Sequence, residues 1–379
     1  MLKNRVLPLV LVAALALSFA ACSKKEPENT SGSEIELVTE IVTEATADET
    51  VAEEVSEAES QAEEAENENE QAEPSKKITK HTELPTLQRT FEIGTLDDAA
   101  AIGLAQLMKK NDEETSFEIY DFEIEKSPSK LVSMISNGEI DMACIPANQA
   151  AVLYNSDDVD VQVVAINSIG GVQIMENGNA IRSLSDLNGK TVYAMEGTVA
   201  DYVTKEVLSK NGVECSFKYV ESAEKIAENM TAGNICVISE PYASTLYENN
   251  KSIQAVVNIS DEWKKLGYED YPMGVVVVNK AFFEDQRNAA AMEYFMDDYE
   301  NSMLFVNESE KKTAEYAEEF GIVASAEIAK KVIPESGIAF FYGDEMQDKL
   351  DSFYEKLYEI DPASIGGEIP GKDFYYKLP

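Results

Sequence analysis

The stretch Gly138-Glu139-Ile140-Asp141-Met142-Ala143-Cys144-Ile145-Pro146-Ala147-Asn148 reads as one turn of an α/β rhythm. Gly138 stops a helix that starts at Ser127-Pro128, an N-cap followed by a first-turn proline. Residues 140–145 are then a short, almost continuous apolar run, the mark of a strand covered on both faces. Pro146 opens a second helix that ends near Asn155. Helix, buried strand and helix in succession place the strand in the interior of a sheet wrapped by helices.

The same alternation extends in both directions. Residues 90–94 and 159–167 read as strands and 99–110 as helix. Further on, strands are predicted at 191–195, 216–220, 235–239, 253–259 and 274–279. Helices alternate with them at 198–212, 223–232 and 241–248, the first introduced by Thr198-x-x-Asp201, a capping box with Asp in place of Glu. Beyond 280 the pattern is almost all helix until a tail at 361; Met292, Phe295, Met296, Tyr299 and Met303 fall at helical spacing and form a core face. This order predicts α/β architecture with mostly parallel sheets. The rhythm of 90–167 recurs over 191–259, and the folded part, 87–379, is longer than one core usually supports, so two lobes are expected.

Composition narrows the function. Against 71 Asp and Glu stand 31 Lys and Arg, a formal charge of −40, which repels nucleic acid and anionic membrane surfaces. The only histidine, His81, lies in a segment read as unstructured, so no folded His-dependent catalytic site is expected. No metal-ligand spacing occurs, and neither a metal nor a cofactor is expected. Cys144, Cys215 and Cys236 sit in or beside apolar runs and read as small core residues. At the N-terminus, Lys3 and Arg5 precede an apolar run over 6–21, shorter than the roughly 20 residues a membrane span needs. It reads as an export signal. Residues 23–86 carry 19 acidic and 5 basic side chains and no aromatic, a composition that cannot offset chain entropy by burial. They are expected to form an extended acidic tether.

In parallel α/β sheets, ligands sit beyond the carboxyl ends of strands, where helix N-termini offer free N–H groups. The loops at those ends supply the candidate ligand-binding residues: Thr95, Leu96, Asp97 and Asp98; Pro146 and Asn148; Asn167 and Ser168; Gly197 and Thr198; Glu240 and Tyr242; and Met273. Each has a plain alternative. Proline is a good first-turn residue wherever a helix starts, glycine serves turn geometry, and Asp98 suits the helix dipole.

Two resemblances add to this. Phe19-Ala20-Ala21-Cys22 resembles the bacterial lipoprotein cleavage box, with Phe where the box usually has Leu. It implies removal of residues 1–21 and diacylation of Cys22, a stable anchor for a tether over 22–86. The order of 138–148, then Ser183-Leu184-Ser185-Asp186-Leu187-Asn188-Gly189-Lys190-Thr191-Val192-Tyr193, then Ser239-Glu240-Pro241-Tyr242, is similar to the solute-binding proteins of ABC importers. So is the ending Gly366-Gly367-Glu368-Ile369-Pro370 with Phe374-Tyr375-Tyr376. The nearest group is that of the nitrate, alkanesulfonate and thiamine-precursor binders. This resemblance implies a two-lobed type II periplasmic-binding-protein fold, with residues 90–173 and 275–379 in one lobe and 180–270 in the other. It implies crossing segments near 171–179 and 267–274, a monomer closing around a small-molecule solute, permease and ATPase subunits as partners, and no catalysis.

The candidate loops hold acids and no arginine; the folded part has only Arg89, Arg182 and Arg287. Asp97, Asp98, Glu196 and Glu240 oppose an anion. A neutral or cationic, nitrogen-bearing solute of the thiamine-pyrimidine kind is therefore expected, with Tyr202, Tyr242, Trp263 and Tyr271 as stacking faces. The alternatives are a sulfonate- or nitrate-type anion held by helix N-termini, a lipid-anchored sensor, and an enzyme using Asp97 and Glu240 as acid and base.

Overall fold

The computed structural model describes residues 76–78, 90–156 and 158–377. The export signal, Cys22, His81 and all of the tether except 76–78 lie outside the described residues. The chain runs through β1 (Lys76–Ile78), β2 (Thr90–Leu96), α1 (Ala99–Asp112), β3 (Ile119–Glu125), α2 (Pro128–Ser136), β4 (Met142–Pro146), α3 (Ala147–Tyr154) and β5 (Val161–Ile169). It then enters a second sheet through β6 (Val172–Asn177), β7 (Thr191–Ala194), α4 (Val199–Lys210), β8 (Ser216–Tyr219), α5 (Ala223–Asn229), β9 (Ile235–Ser239), α6 (Tyr242–Asn249), β10 (Ile253–Asn258) and α7 (Ile259–Lys265). It returns through β11 (Pro272–Asn279), α8 (Gln286–Glu308), α9 (Glu310–Glu319), α10 (Ala326–Val332), β12 (Ile338–Phe341) and α11 (Gly343–Ile360).

The first sheet has the order β1-β3-β2-β4-β11-β5-β12 and the second β10-β6-β9-β7-β8. Each has a parallel centre, β3-β2-β4 in one and β8-β7-β9 in the other. The strands that carry the chain between the lobes join these centres antiparallel: β11 against β4 and β5, and β6 against β9. The sheets are therefore mixed, because a chain that leaves one lobe and returns must run against the strands it rejoins.

Three strands were not legible in the periodicity. In β3, Asp121 and Glu123 interrupt the buried Ile119, Tyr120, Phe122 and Ile124. β6 falls inside the expected first crossing, and β12 lies in a stretch read as continuous helix. Residues 76–78, expected within the unstructured tether, pair antiparallel with β3 at the sheet edge.

The crossing itself is short. Gly170 and Gly171 take φ of +60° and +77°, open to glycine at little strain, and turn the chain directly from β5 into β6. Gly170 N donates to Tyr271 O at 3.0 Å, so the outgoing and returning segments lie side by side.

One apolar cluster runs from Ile145, Val163 and Val275 through Tyr271 and Trp263 to Val192 and Val203, continuous from lobe to lobe. A second fills the other face of the first sheet with Leu104, Phe122, Phe295 and Met303, and a third, with Ile226 and Leu246, lies on the second sheet. Cys144 and Cys236 are buried and Cys215 half-buried, all as free thiols. Among the described residues, no helix is long and apolar enough to cross a membrane.

Candidate functional site

Strand ends and helix starts from both lobes converge at one junction. In the first lobe, Asp98 caps α1 by accepting from Ala100 N at 2.9 Å, a pairing that suits an N-cap aspartate. Its neighbour Asp97 is bonded from the other lobe: the Tyr242 hydroxyl, in the first turn of α6, donates to Asp97 Oδ1 at 2.7 Å. A second bridge joins the helix starts of α3 and α4, where Asn148 Nδ2 donates to Gly197 O at 2.9 Å. Gly197 (φ +72°) and Thr198 form the turn into α4. Thr198 Oγ1 accepts from Asp201 N at 3.2 Å as the capping pattern requires. The Asp201 carboxylate reaches back one residue further than the pattern implies, accepting from Gly197 N at 3.1 Å.

β11 connects the remaining candidates. Gly274 pairs with Pro146 of β4 on one side and with Ser168 of β5 on the other. Asn148 and Asn167 thus lie at the same end of the sheet. A Cβ on Gly274 would stand 2.5 Å from Asn167 Oδ1 and 2.8 Å from Ser168 Oγ, so a side chain here would push both aside. Ser168 Oγ donates to Asn167 Oδ1 at 3.3 Å. Thr95 is fully buried and its hydroxyl donates weakly, at 3.3 Å, to Leu96 O. Leu96 and Met273 pack on the cluster shared by the lobes.

Beneath this junction the polar atoms are incompletely paired. Asn148 Oδ1, Asn167 Nδ2 and the Tyr299 hydroxyl are buried and form no well-made hydrogen bond. The Tyr299 hydroxyl and the Asn167 amide approach each other and Cys144 only in marginal geometry, and Asn148 Oδ1 has no partner, so the polar atoms here have capacity left for a bound molecule. Tyr299, from α8, lies against Cys144 and Asn167. Its place on an apolar helix face marked it in the sequence as core; the one hint of a role was a hydroxyl on a face with nothing polar to receive it. Burial, with the Thr95, Tyr299 and Asn167 neighbours opposing it only in part, pushes the Cys144 thiol up to about 12, so it remains a neutral thiol.

The carboxyls here titrate high. Burial raises Asp97 to about 6, against the Tyr242 bond and with help from the nearby Asp98 and Glu224 charges. Burial also raises Asp98 to about 6, against the bond from Ala100 N. Glu240 reaches about 7, mainly through burial, with the Glu335 charge adding to it. Glu240 does not join the Asp97–Asn148 junction. Its Oε2 accepts from Ser244 N at 2.9 Å, and it lines a separate groove beside the crossing.

Two of the aromatic side chains expected to stack on a ligand are packing residues. Trp263 is 2% exposed, meets Tyr271 edge-on with centroids 5.4 Å apart, and donates from Nε1 to Glu269 O at 2.7 Å. Tyr271 is buried and its hydroxyl shares a 2.9 Å hydrogen bond with Ser260 Oγ. Tyr202 and Tyr242 keep partial exposure.

No curated protein matches the chain. Among solved structures, an ABC transporter protein from Parabacteroides distasonis superposes with TM-score 0.62 at 19% identity, covering 76% of this chain and 99% of that one. The ligand-binding component of an ABC-type import system from Staphylococcus aureus, with zinc bound, gives 0.59 at 17% identity over 76% and 97%. The alkanesulfonate-binding protein SsuA from Xanthomonas axonopodis pv. citri, bound to MOPS, gives 0.58 at 13% identity over 76% and 96%. At such identities the likeness is one of fold, the two-lobed α/β architecture of periplasmic binding proteins. The sequence profile described as NMT1/THI5 like matches residues 121–311, half of the chain, and the protein belongs to that family.

Proposed function

We propose that this protein is the lipid-anchored, solute-binding component of an ABC importer, which closes two lobes on a small solute and delivers it to a permease without chemical change. In this reading residues 1–21 are a signal peptide, Cys22 carries the lipid, 22–86 form the tether, and 87–379 bind the solute. The observation that supports it most directly is the set of incompletely paired polar atoms at the interlobe junction. Asn167 Nδ2 is a donor, Asn148 Oδ1 an acceptor and Tyr299 either. Leaving such groups unpaired costs about 1–3 kcal/mol each, which a bound solute would restore.

The solute is neutral or cationic and nitrogen-bearing, of the pyrimidine kind. A flat heterocycle offers complementary acceptors and donors, and the carboxyls of Asp97 and Asp98 disfavour an anion. Mass spectrometry of the compound that co-purifies with the protein, followed by calorimetric titration with thiamine-type pyrimidines, taurine and nitrate, tests this. A heterocycle bound more tightly than either anion is expected; tight binding of taurine or nitrate overturns the solute class. Cys22→Ser is expected to release the protein from the membrane fraction, and its retention there overturns the anchor.

A further inference from the structure

A groove of about 430 Å³ lies beside the crossing, apart from the Asp97–Asn148 junction. Its volume is that of a small-molecule site. Gln173 and Met175 of β6, Gln254 of β10, Tyr247 of α6 and Glu240 line it from the second lobe, and Glu335 lines it from the first.

The lining is chemically one-sided. Gln173 is 7% exposed, yet its side-chain amide makes no hydrogen bond in the structure. Its amide is thus left to bond what enters the groove that it lines. Neither Glu240 nor Glu335 pairs with a cation, although the described residues hold many such pairs. Tyr247 is 41% exposed and already carries an ammonium group: Lys251 Nζ stands 3.9 Å from its ring centroid, itself bonded to Glu248 at 2.7 Å. Met175, Ala243 and Ala255 supply an apolar floor.

We propose that this groove is a second ligand site, which takes an organic cation: an amine on a short apolar or aromatic body, its ammonium between Glu335 and Glu240, its body against Met175 and Tyr247, and a hydrogen bond to Gln173. The high titration point of Glu240 agrees, because an arriving ammonium would restore the charge that burial and Glu335 now disfavour. The site also bears on the hinge. Glu240 N donates to Gly171 O at 2.8 Å, and a Cβ on Gly171 would lie 3.5 Å from Glu335 O and 3.6 Å from the Glu240 Cβ. A ligand bridging the two carboxylates thus spans the lobes and favours the arrangement in which they face each other. The inference is independent of the identity of the transported solute.

The test is calorimetric titration of the protein with phenethylamine, and with 2-phenylethanol and phenylacetate as shape-matched controls. Saturable binding of the amine alone is expected. Glu335→Gln should weaken it at least about tenfold and Glu335→Lys abolish it, while Asn167→Ala, in the interlobe junction, should leave it unchanged. Glu335 is exposed, so these variants keep the fold. Absence of saturable amine binding, binding of the alcohol as tight as that of the amine, or an amine affinity lost in Asn167→Ala and kept in Glu335→Lys would each overturn the proposal.

Discussion

The Tyr242 hydroxyl donates to Asp97 Oδ1 across 2.7 Å, tying the start of α6 in one lobe to the turn after β2 in the other. Around it, Lys126 and Glu224 approach to 3.9 Å and Lys331 and Glu248 to 2.5 Å, again between the lobes. The lobes therefore hold each other through polar bonds at the mouth, in addition to the apolar cluster that runs through the crossing. Exposed ion pairs contribute little, whereas the half-buried phenol–carboxylate bond is the stronger tie.

Tyr242→Phe removes that tie and nothing within either lobe. Loss of a hydrogen bond to a charged group should shift the ratio of open to closed forms about tenfold toward open. Small-angle scattering of the ligand-free protein is expected to show a larger radius of gyration, with the thermal midpoint of the lobes little changed. An unaltered scattering curve would show that closure does not depend on this bond.

The raised carboxyls give closure and stability a pH dependence of definite sign. Asp97 and Asp98 titrate near 6 and Glu240 near 7, all above their ordinary values near 4. Between those limits the folded form holds more protons than the unfolded one, so their contribution to stability is complete below about pH 4 and is lost as pH rises through about 6 to 7. Lys126 opposes the shift of Asp97, while Glu224 and, for Glu240, Glu335 add to it. The double variant Asp98→Asn, Glu240→Gln keeps the helix cap and the acceptor for Ser244 N but cannot titrate. The fall in melting temperature between pH 5 and pH 7.5 should be shallower in this variant than in the parent; an identical slope would assign the dependence to the general surface charge.

Gly274 sets the spacing between β11 and the asparagine at the site. Gly274→Ala should force Asn167 and Ser168 aside, at about 1–3 kcal/mol of overpacking, and should weaken solute binding by more than that strain alone explains, because Asn167 is displaced. Chemical denaturation read beside calorimetry separates the two effects. Wild-type affinity in a destabilised Gly274→Ala protein would remove Asn167 from the site.

What the sequence disclosed was local. Ser127-Pro128, Gly138 and Pro146 mark helix boundaries by their own backbone chemistry, and the structure has boundaries there. Thr198 caps α4 as its spacing implies. What stayed hidden depends on partners distant in the chain. β3 is acidic at alternate positions and is a strand because β1 and β2 flank it. Trp263 reads as a possible stacking platform until Tyr271 and Tyr268 are seen to enclose it. The same holds for the site. Asn148 and Asn167 follow from the rule that ligands meet strand ends, but only the fold reveals that each has an orphaned atom. Glu240 obeys that rule and still lines a different groove, since its neighbours are Gln173 and Glu335, not Asp97.

Tyr299 is the residue for which a structural and a functional role make opposite forecasts. Its ring is wholly buried among Phe295, Phe340 and Cys144, so the ring packs the first lobe whatever the hydroxyl does. There the hydroxyl meets only Asn167 and Cys144, in marginal geometry, which leaves most of its desolvation cost uncompensated. Tyr299→Phe keeps the ring and deletes the orphan, so the solute-free protein should be as stable as the parent or more stable by about 1 kcal/mol. If the hydroxyl bonds the solute, the same change should reduce affinity about tenfold, with Tyr299→Leu lowering both affinity and stability. A stability gain together with an affinity loss would be the signature of a group retained for binding at the expense of the fold. A Phe variant that binds the co-purified solute as tightly as the parent would return Tyr299 to the core and leave Asn148 and Asn167 to account for recognition.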